Sequence, residues 1–241
     1  MHTEVNRMKF LTAAGISVAT LIAIMITDES DVLEVTTIDA GLGFKRIFLP
    51  DLHIHQREKR LTYVLSTVQE IRPEIVVLGG DLVDRFTVDQ NFVVEFVSQL
   101  AGDERYFVMG NHEYWSGKAE WSRQILAKEV FVEIADVVQS PKAGELHGFD
   151  WVENRIYPRR NLSGLVFVHD PNAADFVNGP CMIFAGHTHG GVVVGNTVLL
   201  TNSRYTRGWY RLGEKNLYVS RGLGQMIPYR PFSKLELVVA V

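Results

Sequence analysis

The sequence predicts an α/β fold in which two sheets pack as a sandwich flanked by helices, with an apolar helix at the N-terminus. Two observations carry that reading. From residue 43 strand-like and helix-like runs alternate, whereas from Val192 the runs are strand-like only, with turns between them. Polar motifs, most of them led by glycine, stand directly after several of the strand-like runs, where α/β folds gather ligands.

The elements follow in chain order. Residues 1–9 form a short tail, and residues 10–27 an uncharged apolar run. Residues 28–42 are acidic, then glycine-containing, and read as a tether with an edge strand. The domain proper spans residues 43–241. Lys45–Pro50 reads as a short apolar strand. A helix over Gln56–Arg72 carries Leu61, Val64, Leu65, Val68 and Ile71 at helical spacing. Ile75–Leu78 is a buried strand. Asn91–Leu100 is a second helix with Phe92, Val93, Phe96 and Leu100 on one side. Tyr106–Met109 is a strand, Gly117–Lys128 a helix, and Val130–Ile134 a strand. Leu165–Val168 and Met182–Ala185 follow as short strands. The tail offers Val192–Val194, Val198–Leu200, Leu217–Ser220 and Leu235–Val239.

Composition narrows the function classes. Hydrophobic residues at 46% and charged residues at 22% exclude a disordered chain. A net charge of −4 offers nucleic acid no global attraction. The single cysteine, Cys181, cannot make an internal disulfide, and its apolar run Cys181-Met182-Ile183-Phe184 gives it a packing role.

The chemistry lies in five ordered motifs: Asp51-Leu52-His53, Gly80-Asp81-Leu82-Val83-Asp84, Gly110-Asn111-His112-Glu113, His169, and Gly186-His187-Thr188-His189. Asp51, Asp81, Asn111, His169 and His187 each follow a predicted strand. They can therefore converge without being close in sequence. The set suits two divalent metals sharing one carboxylate, with His112 left over. Metal pairs about 3.5–4 Å apart are a standard device for hydrolysing phosphate esters. Mixed carboxylate and imidazole ligands suit Mn, Fe or Zn.

This ordered set resembles the calcineurin-like metallophosphoesterase family, whose pattern is D-x-H, G-D-x-x-D, G-N-H-[DE], a lone His and G-H-x-H. The resemblance implies the two-sheet sandwich of that family. It implies that Asp51, His53 and His189 hold one metal, that Asn111, His169 and His187 hold the other, and that Asp81 bridges them. It implies attack on phosphorus by metal-bridged hydroxide. It places His112 beside the substrate as general acid or charge stabiliser, with Asp84 pairing with it, orienting it and raising its pKa. Arg85 matches an arginine that grips phosphate in the protein-phosphatase branch. His55 reads as a rim group, and His147 and His2 as bystanders. The tail Tyr218-Val219-Ser220-Arg221-Gly222-Leu223-Gly224 resembles the compact, membrane-associated bacterial and archaeal branch. That implies a phosphomonoester or phosphodiester substrate, with a lipid-linked one in range. An inactive metal-binding scaffold of the same fold is the alternative. A hydrolase of non-phosphate bonds is a third reading.

The apolar run Phe10–Thr27 is at the lower edge of the about 20 residues that a span needs. Arg7 and Lys9 precede it, and Asp28, Glu29, Asp31 and Glu34 follow. The positive-inside rule puts the catalytic domain outside the cytoplasm. An uncleaved anchor is favoured over a cleaved signal, because Ser17-Val18-Ala19 lies inside the run. A buried core helix is the third reading.

Overall fold

The computed structural model describes residues 29 and 31–241, apart from 42, 195–196, 228 and 231; the tail and apolar run, and His2, lie outside the described residues. The remainder is the expected sandwich. Its first sheet contains β1 (Leu33–Ile38), β2 (Arg46–Leu49), β3 (Ile75–Gly79), β4 (Glu104–Val108), β5 (Val132–Glu133) and β16 (Leu235–Ala240), in the order β1-β16-β2-β3-β4-β5. The second contains β6 (Val137–Ser140), β7 (Gly144–Phe149), β9 (Gly164–Val168), β11 (Cys181–Ala185), β14 (Gly208–Leu212) and β15 (Lys215–Val219), in the order β14-β15-β11-β9-β7-β6. Two further pairs are short: β8 (Arg160–Asn161) with β10 (Val177–Asn178), and β12 (Val192–Val194) with β13 (Thr197–Leu200). β1, inside the stretch read as a tether, is an edge strand. It pairs with β16 from Leu33↔Leu235 to Ile38↔Ala240.

Alternation along the strands divides the core. Phe48, Val77, Val108, Phe167, Phe184 and Val238 fill the space between the sheets, and the Phe167 and Phe184 rings stack at 5.5 Å. The opposite residues of the first sheet, including Leu49, Val76 and Leu78, meet α1 (Lys59–Ile71), α2 (Gln90–Ser98) and α4 (Ala119–Lys128). The outer side of the second sheet packs Val166, Val168, Ile183 and Cys181 against a 3-10 helix at Pro171–Phe176. Strands buried on both faces lose their polar alternation, which is why β3 reads as an unbroken apolar run.

Three boundaries differ from expectation for local reasons. α1 starts at Lys59 rather than Gln56, because the His55 carbonyl already accepts from Val88 N and Asp89 N. α4 starts at Ala119, preceded by the separate short helix α3 (Asn111–Trp115). β5 is only Val132–Glu133, because Phe131 N closes onto Leu126 O and Val130 has φ 62°.

Topology positions the site. β2, β3 and β4 run parallel in one sheet, and β9, β11 and β15 in the other. Asp51, Asp81, Asn111, His169 and His187 follow the carboxyl ends of β2, β3, β4, β9 and β11. Among the described residues, no helix is long and apolar enough to cross a membrane.

Candidate metal centre

The seven ligand-type residues meet at one end of the sandwich. Asp51, His53 and Asp81 are fully buried, Asn111, His169 and His187 nearly so, and His189 is partly exposed. Ligand atoms of Asp51, His53 and His189 lie within 4.8 Å of one another, as do those of Asp81, His169 and His187. Asp81 is the shared neighbour: its Oδ2 lies 3.1 Å from His169 Nε2 and 3.6 Å from His53 Nε2. Asn111 Oδ1 is 3.0 Å from His169 Nε2.

Backbone conformation aims these groups. Asp51, His53, Asp81, His187 and His189 all have positive φ, from 42° to 73°. Left-handed backbone is uncommon for non-glycine residues and persists where surrounding contacts impose it. Here those contacts are visible. His187 N donates to both Asp51 oxygens at 3.0 Å. Glu113, buried, accepts from Gly110 N, Asp81 N, Leu82 N and Val83 N at 2.5–3.2 Å. One carboxylate thus ties the Asp81 loop to the Asn111 loop. Burial and the neighbouring Asp81 push Glu113 up to about 7, against its N–H donors. Gly80 closes the approach: at φ 85°, a Cβ there would meet Gly110 N and His169 Nδ1 at 2.7 Å.

Each of three imidazoles spends its outer nitrogen on an acceptor. His53 Nδ1 donates to Asp84 Oδ2 at 2.8 Å, His169 Nδ1 to Gly79 O at 2.9 Å, and His189 Nδ1 to Gly224 O at 3.0 Å. In that tautomer each Nε2 presents a lone pair inward. Acceptors from His53, His169, Asn111 and Asp81 then face one another, and His53 Nε2 and Asp81 Oδ2 have no hydrogen-bond partner. Converging acceptors need a shared proton or a cation. The donor set and its outer partners fit divalent metal. Without one, burial opposes charge on His169, but Asp81 pushes its pKa up to about 10. Burial would raise Asp81, but His169 and His53 hold it well below the usual carboxylate range. Burial holds His187 down at about 3 and His189 well below its ordinary value, so both rings are neutral.

Two expectations about neighbouring groups are corrected. Asp84 does not pair with His112. Its Oδ2 is taken by His53 and, at 2.9 Å, by His55 Nε2. His112 is instead lowered, first by burial, with Asp81 and Asp84 pulling it up only through space. Arg85 is exposed and lies over the Phe86 ring, because the chain turns outward at Phe86, whose N donates to Asp84 Oδ1. The arginine that lines the site cavity is Arg155.

That cavity, about 300 Å³, is walled by Asp81, His112, Trp115, Trp151, Arg155 and His187, among others. Trp151 leans on His187 at 5.3 Å, and His112 contacts Trp115 edge-on at 5.3 Å. Glu153 accepts from both tryptophan N–H groups. Arg155 grips Asp170, the residue after His169, through Nε at 2.8 Å and through Nη2, and reaches Asn202 O at 2.7 Å. Burial would raise Asp170, but Arg155 holds it low. The loop Trp151–Arg155 was not singled out in the sequence. Its one signal was a tryptophan, an acid and an arginine packed into five residues. His55 is at the rim, 20% exposed, and His147 pairs with Glu145 away from the cluster.

A family model for calcineurin-like phosphoesterases matches residues 44–191. The chain belongs to that family. Family members are hydrolases and use divalent metals, and the clusters above are candidate sites for them. A phosphodiesterase of Escherichia coli, YaeI, is 29% identical over 216 residues, covering 80% of this chain and 79% of that one. A Danio rerio transmembrane protein with a metallophosphoesterase domain is 28% identical over 228 residues, covering 81% of this chain. The chain spans only 52% of the length of that Danio rerio protein. A solved archaeal phosphodiesterase superposes with a TM-score of 0.42 at 14% identity, over 75% of this chain and 84% of that chain.

Proposed function

We propose that this chain is a dinuclear metal-dependent phosphoesterase acting on phosphomonoester or phosphodiester bonds. The observation that carries the reading is the buried ring of inward-facing acceptors around Asp81, with His53, His169 and His189 each held from behind. Asp51, His53 and His189 would hold one divalent ion, Asn111, His169 and His187 the other, and Asp81 both. Bound there, Mn, Fe or Zn would supply an activated water and offset charge on the phosphoryl oxygens. The chain's own residues do the rest. His112 N donates to Asp81 Oδ1 at 2.8 Å, which turns Oδ2 inward and sets the His112 ring at the cavity wall. From there His112 protonates the leaving oxygen, and the negative charge of a bound phosphate favours its protonated form. Trp115 and Trp151 wall the same cavity. A lipid-linked phosphoester is the substrate class in best accord with an anchored N-terminus and an extracytoplasmic domain.

The test is hydrolysis of bis(p-nitrophenyl) phosphate with added Mn²⁺. The parent chain should turn over and Asp81→Asn should not. Equal rates for the two, or none for the fully loaded parent on mono- and diester probes, would refute the reading and favour a scaffold.

A further inference from the structure

We propose that the β12–β13 hairpin and the loop around Ile227 and Tyr229 form a surface that seats on a lipid bilayer. Three observations meet on this face. First, Thr197–Leu200 is exposed at every position, so side chains on both faces of the strand are uncovered: Val198 47%, Leu199 63% and Leu200 68%. Its sheet partner is β12 alone. Ile227, at 65% exposure, and Tyr229 extend the apolar patch from the other side. An apolar patch rimmed by polar groups marks an interaction surface. Second, Leu200 and Tyr229 wall one groove of about 330 Å³, which shares His189 and Asn202 with the metal-site cavity. The apolar face therefore runs into the mouth of the site.

Third, the chain leaves the described structure here. Glu29 N donates to Arg230 O at 3.1 Å, beside Tyr229. The uncharged run Phe10–Thr27 ends two residues before Glu29. The segment with the composition of a membrane anchor thus joins the domain at the edge of its exposed apolar patch. A short connection leaves little reach, so a run held in a bilayer brings this face to the lipid surface. The occupant is lipid rather than a second protein because the anchor-like run and the patch share one edge. This inference stands on the patch and the chain path and is independent of turnover.

The test uses the full chain in vesicles of equal parts phosphatidylcholine and phosphatidylglycerol. Leu199→Cys is labelled with an environment-sensitive fluorophore. Val132→Cys, 48% exposed on β5, the edge of the first sheet opposite β1, is labelled as control. The native thiol, Cys181, is buried and stays unlabelled. The Leu199 probe should shift to the blue on reconstitution and be quenched by spin-labelled lipid, and the control should do neither. Equal quenching of both probes, or of neither, overturns the proposal. So does a blue shift at Leu199 that spin-labelled lipid leaves unquenched: one that grows with the protein-to-lipid ratio means a second copy covers the face, and one that does not means the chain's own N-terminal run covers it.

Discussion

Asp84 Oδ2 stands 2.8 Å from His53 Nδ1 and is shared with His55. This carboxylate therefore serves a candidate metal ligand, where the family resemblance implied service to His112. Burial would raise Asp84, but His53 and His55 hold it well below the usual carboxylate range, so it stays ionised at every working pH. It fixes the His53 tautomer and the direction of its Nε2.

The first prediction follows from that pair. Asp84→Asn should weaken metal retention about 10–100-fold, the usual cost of losing such an outer partner. Raising Mn²⁺ should restore much of the activity. Titration of turnover against Mn²⁺ checks this. An unchanged Mn²⁺ midpoint would contradict the assignment.

His112→Ala should behave differently. Both metals should remain bound, and turnover should fall about 10²–10⁴-fold. The loss should shrink for esters with good leaving groups if His112 donates a proton. Comparing p-nitrophenyl and alkyl esters measures it. An equal loss for both would assign His112 to charge stabilisation instead.

Glu113→Ala should cost stability more than chemistry. It strips the acceptor from four backbone N–H groups, and each buried orphan costs about 1–3 kcal/mol. Urea unfolding of the variant should show a loss of at least about 3 kcal/mol, with Glu113→Gln losing less. Values within about 0.5 kcal/mol of the parent, as for an ordinary surface change, would contradict the bracing role.

Burial pushes the Cys181 thiol up to about 11. The neutral thiol is the form below that pH, and only the thiolate reacts. Alkylation of the folded chain should therefore be slow at pH 8 and climb about tenfold per pH unit toward 11. In urea the midpoint should fall to the ordinary value near 8.5. A folded-state midpoint already near 8.5 would refute the buried placement.

Much of the candidate centre was legible because its ligand-type residues follow strands, and strand ends can be read from apolar runs. Asp51, Asp81, Asn111, His169 and His187 sit where β2, β3, β4, β9 and β11 end. The sequence could not show which histidine Asp84 would choose. That depends on where His53, His55 and His112 point after folding. Arg155 was hidden for the same reason: its value comes from Asp170 and Asn202, 15 and 47 residues away. Strands β6, β7 and β14 escaped notice too. Gly144 and Gly148 interrupt the pattern of β7, and β6 and β14 are edge strands whose half-exposed faces carry mixed residues. Arg85 shows the converse failure, a matching position whose side chain faces solvent.

The central claim is that Asp81 bridges two metals. The direct measurement is elemental analysis of the chain after loading with Mn²⁺ and removal of free ion. The account predicts two equivalents for the parent and fewer than two for Asp81→Asn. Saturation of the parent at one equivalent, or two equivalents retained by Asp81→Asn with unchanged affinity, would contradict it.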